Sequence, residues 1–315
     1  MLAGTAWLDS RISLKHAHRR LQLLARLLIV STFIDDSLRI ASDYTGQADS
    51  MRTVGFGDPV SAILPILFVV VQSTGVLLVL IGRNGLAQLG CCILFGWVLC
   101  HPFIYAQQKN LEFVVESVTI SGGLLILLSS MRAVSNKALP VGGSRSENAQ
   151  AENDWIQLAG RACLSALFVF HVHKISLHLL TAGSGSWDAP HVLLAECVLA
   201  LLVFGLTALL VVGLRSRYCA LLLAAVTAAA ALHNHPWFVV LWSEQQTYKL
   251  DDVIGYENVQ VPAWVYATHQ RYFFFQQLST AGALLQLVAH GPGRLSVDEA
   301  NGPLQVVTLT AKGAE

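Results

Sequence analysis

Long apolar runs separated by short polar breaks dominate this chain. Segments of about twenty largely apolar residues, enough to cross a bilayer as a helix, fall at 21–41, 61–82, 84–106, 110–131, 157–181, 190–213, 215–242 and 268–290. The pattern predicts about eight transmembrane helices. The seventh is interrupted at His233-Asn-His-Pro236-Trp237, where proline removes a helical donor and clashes with the preceding turn. Residues 132–156 are polar, rich in Gly, Ser and Asn and without periodicity, and read as a cytosolic linker.

The two halves repeat in order. Arg26-Leu-Leu-Ile opens the first segment as Arg161-Ala-Cys-Leu opens the fifth. Arg83 follows the second as Arg215 follows the sixth, and Ser121-Gly-Gly-Leu-Leu matches Ala281-Gly-Ala-Leu-Leu. Four spans per half make this a parallel repeat, since both halves then enter the membrane from the same side. Such a duplication either places a site between two bundles or only builds a larger bundle. The predicted fold is all-α and polytopic: a basic N-terminal segment (1–20), a first four-helix unit (21–131), the linker (132–156), a second unit (157–290) with a lumenal insertion at 243–268, and a tail (291–315).

Composition agrees. Of 315 residues, 54% are hydrophobic and 13% charged, with twenty acids against twenty Lys and Arg and a mean hydropathy of +0.55. A soluble domain carries about a quarter charged residues. Disorder, a small disulfide-stapled domain and nucleic-acid binding through bulk positive charge are excluded. With the N-terminus in the cytosol, twelve basic residues fall on the cytosolic side and only Arg52, Lys109, Lys249 and Arg271 on the other. The positive-inside bias therefore puts both termini in the cytosol. The basic, acid-poor N-terminus also has the look of a mitochondrial targeting segment.

Six cysteines lie in apolar runs without a C-x-x-C pair or zinc spacing, and no nucleophile-elbow, P-loop, zinc-protease or dinucleotide motif is present. No catalytic residue, metal or cofactor is expected. Charge inside the spans is costly, which singles out Asp35, Asp36 and Arg39 in the first segment and Glu112, Glu116 and Glu196 elsewhere. Asp35 and Arg39 stand at i, i+4, the favourable order for an ion pair, and Asp36 has no such local partner. Eight of eleven histidines, including His171, His173 and His178, fall on the same outward side as these acids. A polar vestibule facing away from the cytosol follows. It is either a belt of satisfied polar groups or a site for a cationic or amphipathic ligand, with histidine as the pH-responsive element. A metal is disfavoured because H-x-H on a helix points its rings apart.

The runs ARLLIVSTFIDDSLR (25–39), LEF (111–113) with SGGLLILL (121–128), QLAGR (157–161) and FQQLSTAGALLQLVAHGPGRLSVDE (275–299) resemble the surfeit locus protein four family of cargo receptors. The resemblance implies binding of the N-terminal segments of soluble secretory cargo in the lumen of the endoplasmic reticulum. It also implies loading into COPII vesicles toward the early Golgi, with return by COPI. Asp35, Asp36 and Arg39 would hold cargo, the acids receiving its α-amino group. Membrane lipid and a homo-oligomer or larger complex are further expected partners; nucleic acid is not. Three features depart from the family: the chain ends Lys312-Gly-Ala-Glu315 instead of in two lysines, Glu112 and Glu116 stand where the family is basic, and the 243–268 extension is enlarged. These leave open a structural accessory subunit of a mitochondrial or plastid membrane complex. A redox-associated membrane protein of the DoxX type shares the repeat but would need a cofactor ligand that this chain lacks.

Overall fold

A computed structural model describes residues 2–82, 85–138, 144–181, 190–249 and 259–300, with side chains for 18–82, 85–133, 148–177, 194–249 and 259–298. Its long helices are α1 (Leu2–Ser42), α3 (Asp58–Ile81), α4 (Gly85–Ile104), α5 (Leu111–Ala138), α6 (Ser144–Thr181), α7 (Pro190–Val212), α8 (Ser216–Asn234) and α10 (Ala263–His290). Short helices α2 (Tyr44–Val54), α9 (Trp237–Trp242) and α11 (Val297–Ala300) complete the helical set, and β1 (Thr247–Lys249) pairs antiparallel with β2 (Gln260–Pro262).

Local chemistry sets the breaks. Asp43 accepts from the backbone N–H of Gly46 at the start of α2, and Gly55 ends it at φ 114°, a conformation glycine adopts without a Cβ penalty. Pro59 lies in the first turn of α3, where its missing N–H costs nothing. The expected interruption is real: α8 stops at Asn234 and α9 resumes after His235-Pro236.

The long helices occupy the eight expected segments, and six spans are long and apolar enough to cross a membrane: α3, α4, the stretches Leu111–Ala133, Asn148–Leu177 and Leu194–Val212 of α5, α6 and α7, and α8 with α9 (Ser216–Trp242). The two others, α1 and α10, are the polar ones, carrying Arg26, Asp35, Asp36 and Arg39, and Gln270, Arg271, Gln276, Gln277 and Gln286 respectively. They pack along each other, and their polar residues are met partly on each other, partly on α3, α5 and the end of α8. The linker reading of 132–156 needs correction. Residues 132–138 extend α5 and 144–156 open α6, leaving 139–143 outside the described residues. Polar composition was mistaken for loop, whereas Ala, Glu, Gln and Arg are good helix formers that project past the apolar zone. Residues 250–258 of the insertion and 301–315 of the tail are also outside the described residues.

The helices close a ring, α1–α3–α4–α5–α6–α7–α8–α10 and back to α1, with α5 touching α10 across it. The duplication is visible in this order. Within each half neighbours follow the chain, and between halves α1 meets α10 just as α5 meets α6. The correspondence reaches single residues. A Cβ on Gly282 would lie 2.9 Å from the carbonyl oxygen of Ala25 and 2.8 Å from the nitrogen of Ile29; one on Gly122 would strike Gly160 and Leu164. Those are the same positions once Arg26 is aligned with Arg161. Near the centre, a Cβ on Gly123 would come within 2.9 Å of the Ala283 methyl. Small residues here let helix backbones approach closely, as membrane helices require.

Candidate functional site

The first-half acids are the most buried charges in α1. Asp36 pairs with Arg39 one turn on, at 2.5 Å, and accepts a hydrogen bond from the Gln72 side-chain amide of α3 at 2.8 Å. Asp35 pairs with Arg271 of α10 at 2.8 Å. The expected pairing is thus exchanged. Asp36, read as having no local partner, holds Arg39, and Asp35 turns to α10. Both acids stand within reach of Arg39, at i, i+3 and i, i+4; Arg271 of α10 takes Asp35, and Asp36 keeps Arg39. The cavity beside Asp36, between α1, α3, α4, α5 and α10, holds about 30 Å³, room for roughly one water.

The second half differs. Where α5, α6, α8 and α10 meet, a cavity of about 290 Å³ is lined by Glu112, Glu116, His171, Lys174, His235 and Gln276, among others. Glu116 is 9% exposed. At the mouth, Lys174 pairs with Glu112 at 3.0 Å and lies over the Phe170 ring. His171 bonds the Leu167 carbonyl through Nδ1, and His235 bonds the Gln270 side chain at 2.7 Å.

The two cavities are copies of one place. Aligning Arg26 with Arg161 puts Asp36 on His171 and Arg39 on Lys174, and aligning Gly122 with Gly282 puts Glu116 on Gln276 and Phe113 on Phe273. His101-Pro102 matches His235-Pro236, and the ring contact His101–Phe113 (4.9 Å) recurs as His235–Phe273 (5.4 Å). Gln276 lines both cavities. In one copy the acid is taken up by Arg39 and Gln72 and about 30 Å³ is left. In the other, the buried carboxylate Glu116 faces an open space large enough for a small cationic group and its substituents.

Of the sequence-derived candidates, the cavity gathers Glu116 and His171. Of Asp35, Asp36 and Arg39, Asp36 lines the smaller first-half cavity. Glu196 is half-buried on α7 and His173 is exposed on α6, neither lining a cavity; the side chain of His178 is outside the described residues. Sequence reasoning missed the role of Arg271, assigned only to the outward side, and Gln72 and Gln276, which carry no charge. The repeat held the signal for Gln276, because aligning Gly122 with Gly282 sets it on Glu116. No cluster of His, Cys, Asp and Glu with metal-binding geometry occurs among the described residues.

At the opposite end of the bundle the tail folds back. The Gln157 side chain donates to the Gly291 carbonyl at 2.6 Å, and Arg161, fully buried, donates to the Leu295 carbonyl at 2.5 Å. Asp298 accepts from the backbone N–H groups of Arg215 and Ser216 and from the Ser216 hydroxyl. Burial opposes its ionisation, but these donors outweigh it and hold the carboxyl below its ordinary value. The acid expected to begin a free tail instead caps α8.

Comparison with known proteins agrees on one family. Residues 10–265 match the model of the SURF4 family. The chain is 25% identical over 294 residues to the Surfeit locus protein 4 homolog of Drosophila melanogaster, covering 91% of this chain and 92% of that one. It is 27% identical over 280 residues to the homolog of the same name in Schizosaccharomyces pombe, covering 88% and 80%. Against the ER-derived vesicles protein ERV29 of Saccharomyces cerevisiae it is 25% identical over 287 residues, covering 88% and 75%. No solved structure matches.

Proposed function

This chain belongs to the SURF4 family, and we propose that it is a cargo receptor for soluble secretory proteins in the membrane of the endoplasmic reticulum. It binds the N-terminal segments of its cargo in the lumen, enters COPII vesicles and cycles with the early Golgi, with both termini cytosolic. It performs no covalent chemistry. The carrying observation is the second-half cavity: a buried carboxylate, Glu116, facing about 290 Å³ of open space on the side assigned to the lumen. A cargo α-amino group placed there replaces the missing countercharge, and desolvation strengthens that contact. The name of the yeast relative, a protein of ER-derived vesicles, supports the compartment. Asp35, Asp36 and Arg39 then act by holding α1 to α10 and α3.

The test is photo-cross-linking of a cargo N-terminal peptide to the full-length protein in microsomes. Glu116→Gln lowers cross-linking about tenfold, the worth of one charge-assisted contact, while Glu196→Gln leaves it unchanged. Equal yields from both would refute the assignment of the site. Protonation also bears on release. The titratable and charged groups around the cavity are Glu112 and Glu116 on α5, His171 and Lys174 on α6, and His235 just after α8. Histidine stands beside any ammonium bound there, so peptide binding is to be compared at about pH 7 and about pH 6. Peptide affinity should weaken over that range, and a flat profile removes histidine from the mechanism.

The accessory-subunit reading rests on the basic, acid-poor N-terminus. Fractionation of the untagged protein separates the two. Recovery with endoplasmic reticulum and early Golgi markers supports the receptor, and recovery in mitochondria or plastids supports the subunit.

A further inference from the structure

A second chamber of about 200 Å³ adjoins the polar cavity between α6, α7 and α8, and the two share Leu167, His171, Asn234 and Gln277 as walls. Beyond that junction the lining is almost wholly apolar, with Phe168, Val172, Ile175, Val203, Val226 and Ala230. Its outer lip is Leu199, 46% exposed on a membrane-spanning helix whose neighbouring residues Val198, Leu201 and Leu202 also face outward. The chamber therefore opens sideways, at the depth of the hydrocarbon and not toward water.

The first half shows why this chamber exists. Four residues before its His-Pro step stands Trp97, in tilted ring contact with Phe68 at 4.7 Å. The matching positions in the second half are Ala231 for Trp97 and, with Arg83 aligned on Arg215, Ala200 for Phe68, and Ala200 lines the chamber. Two aromatic rings plug one copy, and alanines leave the other hollow.

Together the chambers have the chemistry of an amphipathic ligand carrying both signs of charge. Glu116 suits an ammonium, Lys174 at the mouth suits a phosphate, and the α6–α8 chamber suits a hydrocarbon chain. We infer that this compound cavity binds a phospholipid with a zwitterionic, amine-bearing headgroup, one acyl chain entering between α7 and its neighbours. A peptide entering from the side would carry backbone N–H and C=O groups through hydrocarbon unsatisfied, which is costly; an acyl chain carries none. An anionic headgroup without an amine would leave Glu116 uncompensated. The inference goes beyond the cargo reading and does not depend on it.

The experiment is native mass spectrometry and lipid extraction on the full-length protein, purified from its membranes, washed, and offered phosphatidylethanolamine in mixed micelles. The wild type should retain about one phosphatidylethanolamine per chain, enriched over its share of the membrane. Ala200→Phe, which restores the ring that the first half carries at Phe68, should lower retention roughly tenfold without shifting the thermal unfolding midpoint. Glu116→Gln should keep a bound phospholipid but lose the preference for ethanolamine over phosphatidylglycerol. Val203→Phe serves as a second plug should Ala200→Phe fail to fold. Retained lipid at bulk membrane ratios in the wild type overturns the inference with no variant needed. So does equal retention by a folded plugged variant, or recovery of a cargo peptide in place of lipid when a cross-linker is placed at position 230.

Discussion

Asp35 and Asp36 are neighbours in sequence with separate tasks: Asp35 staples α1 to α10 through Arg271, and Asp36 satisfies Arg39 and Gln72. Removing one member of a buried pair leaves the other charge uncompensated. Asp35→Ala should therefore cost about 3 kcal/mol or more, read as a lowered unfolding midpoint in detergent. Replacing Asp35 and Arg271 together by leucine should recover most of that loss, and a double variant as unstable as the single would show that the pair does not join the helices. The charges themselves were legible in the sequence, since a carboxylate in an apolar run demands an explanation. Their partners were not: Arg271 is remote along the chain, and only the fold brings it to α1. Glu116 was legible as an intramembrane acid, but its cavity was not. A cavity arises from how several elements pack around a residue, here α5, α6, α8 and α10.

The helices themselves were readable because apolar length is read directly along the chain, and the His-Pro step marked the α8–α9 break. Their polar extensions were not, since polar helix and polar loop share a composition. Close approach adds a test specific to particular glycines. A Cβ at Gly282 would lie 2.6 Å from that of Leu28, whereas Gly96 and Gly205 have nothing within 4 Å. Gly282→Ala should push α10 off α1 and destabilise the protein. Gly96→Ala and Gly205→Ala should be neutral or stabilising by up to about 1 kcal/mol, the helix propensity difference. Equal effects at all three would mean that propensity, not packing, decides. The tail offers a pH test. The Asp298 carboxyl is held below its ordinary value, so its contribution is complete above the unfolded-state pKa of about 3.9. It is lost as pH falls through the lower native value. Protease sensitivity of the tail should thus be flat from neutral pH to about pH 4 and rise only below it. Asp298→Ala should raise it at every pH, at a cost of about 1 kcal/mol as for other helix caps.

At the scale of the whole molecule, duplication has made a ring and not two separate bundles. Each half lends its first helix to the last helix of the other: α1 lies along α10, and α6 along α5. The Asp35–Arg271 pair and the close contacts at Gly122 and Gly282 make α1–α10 and α5–α6 the tightest joints. A half-chain ending before α6 would expose Asp35 without Arg271 on α1 and the glycine face of α5, neither tolerable against lipid. The break between α5, which ends at Ala138, and α6, which begins at Ser144, is the place to divide the chain. Expressed alone, residues 1–141 or 142–315 should be degraded or should bind chaperones. Co-expressed, the two fragments should co-purify, because the joints between halves are helix packing and ion pairs that need no covalent link. Asp35→Ala in the first fragment should then lower recovery of the second, a coupling that no within-half contact produces. Stable, monodisperse single halves would instead mean that each four-helix unit folds by itself and that the ring is a later association. In that case the small cavity of the first half, whose wall includes Tyr272 and Gln276 of the second, would widen on separation and expose Asp36 further to water-soluble carboxyl reagents. The paired fragments should protect it.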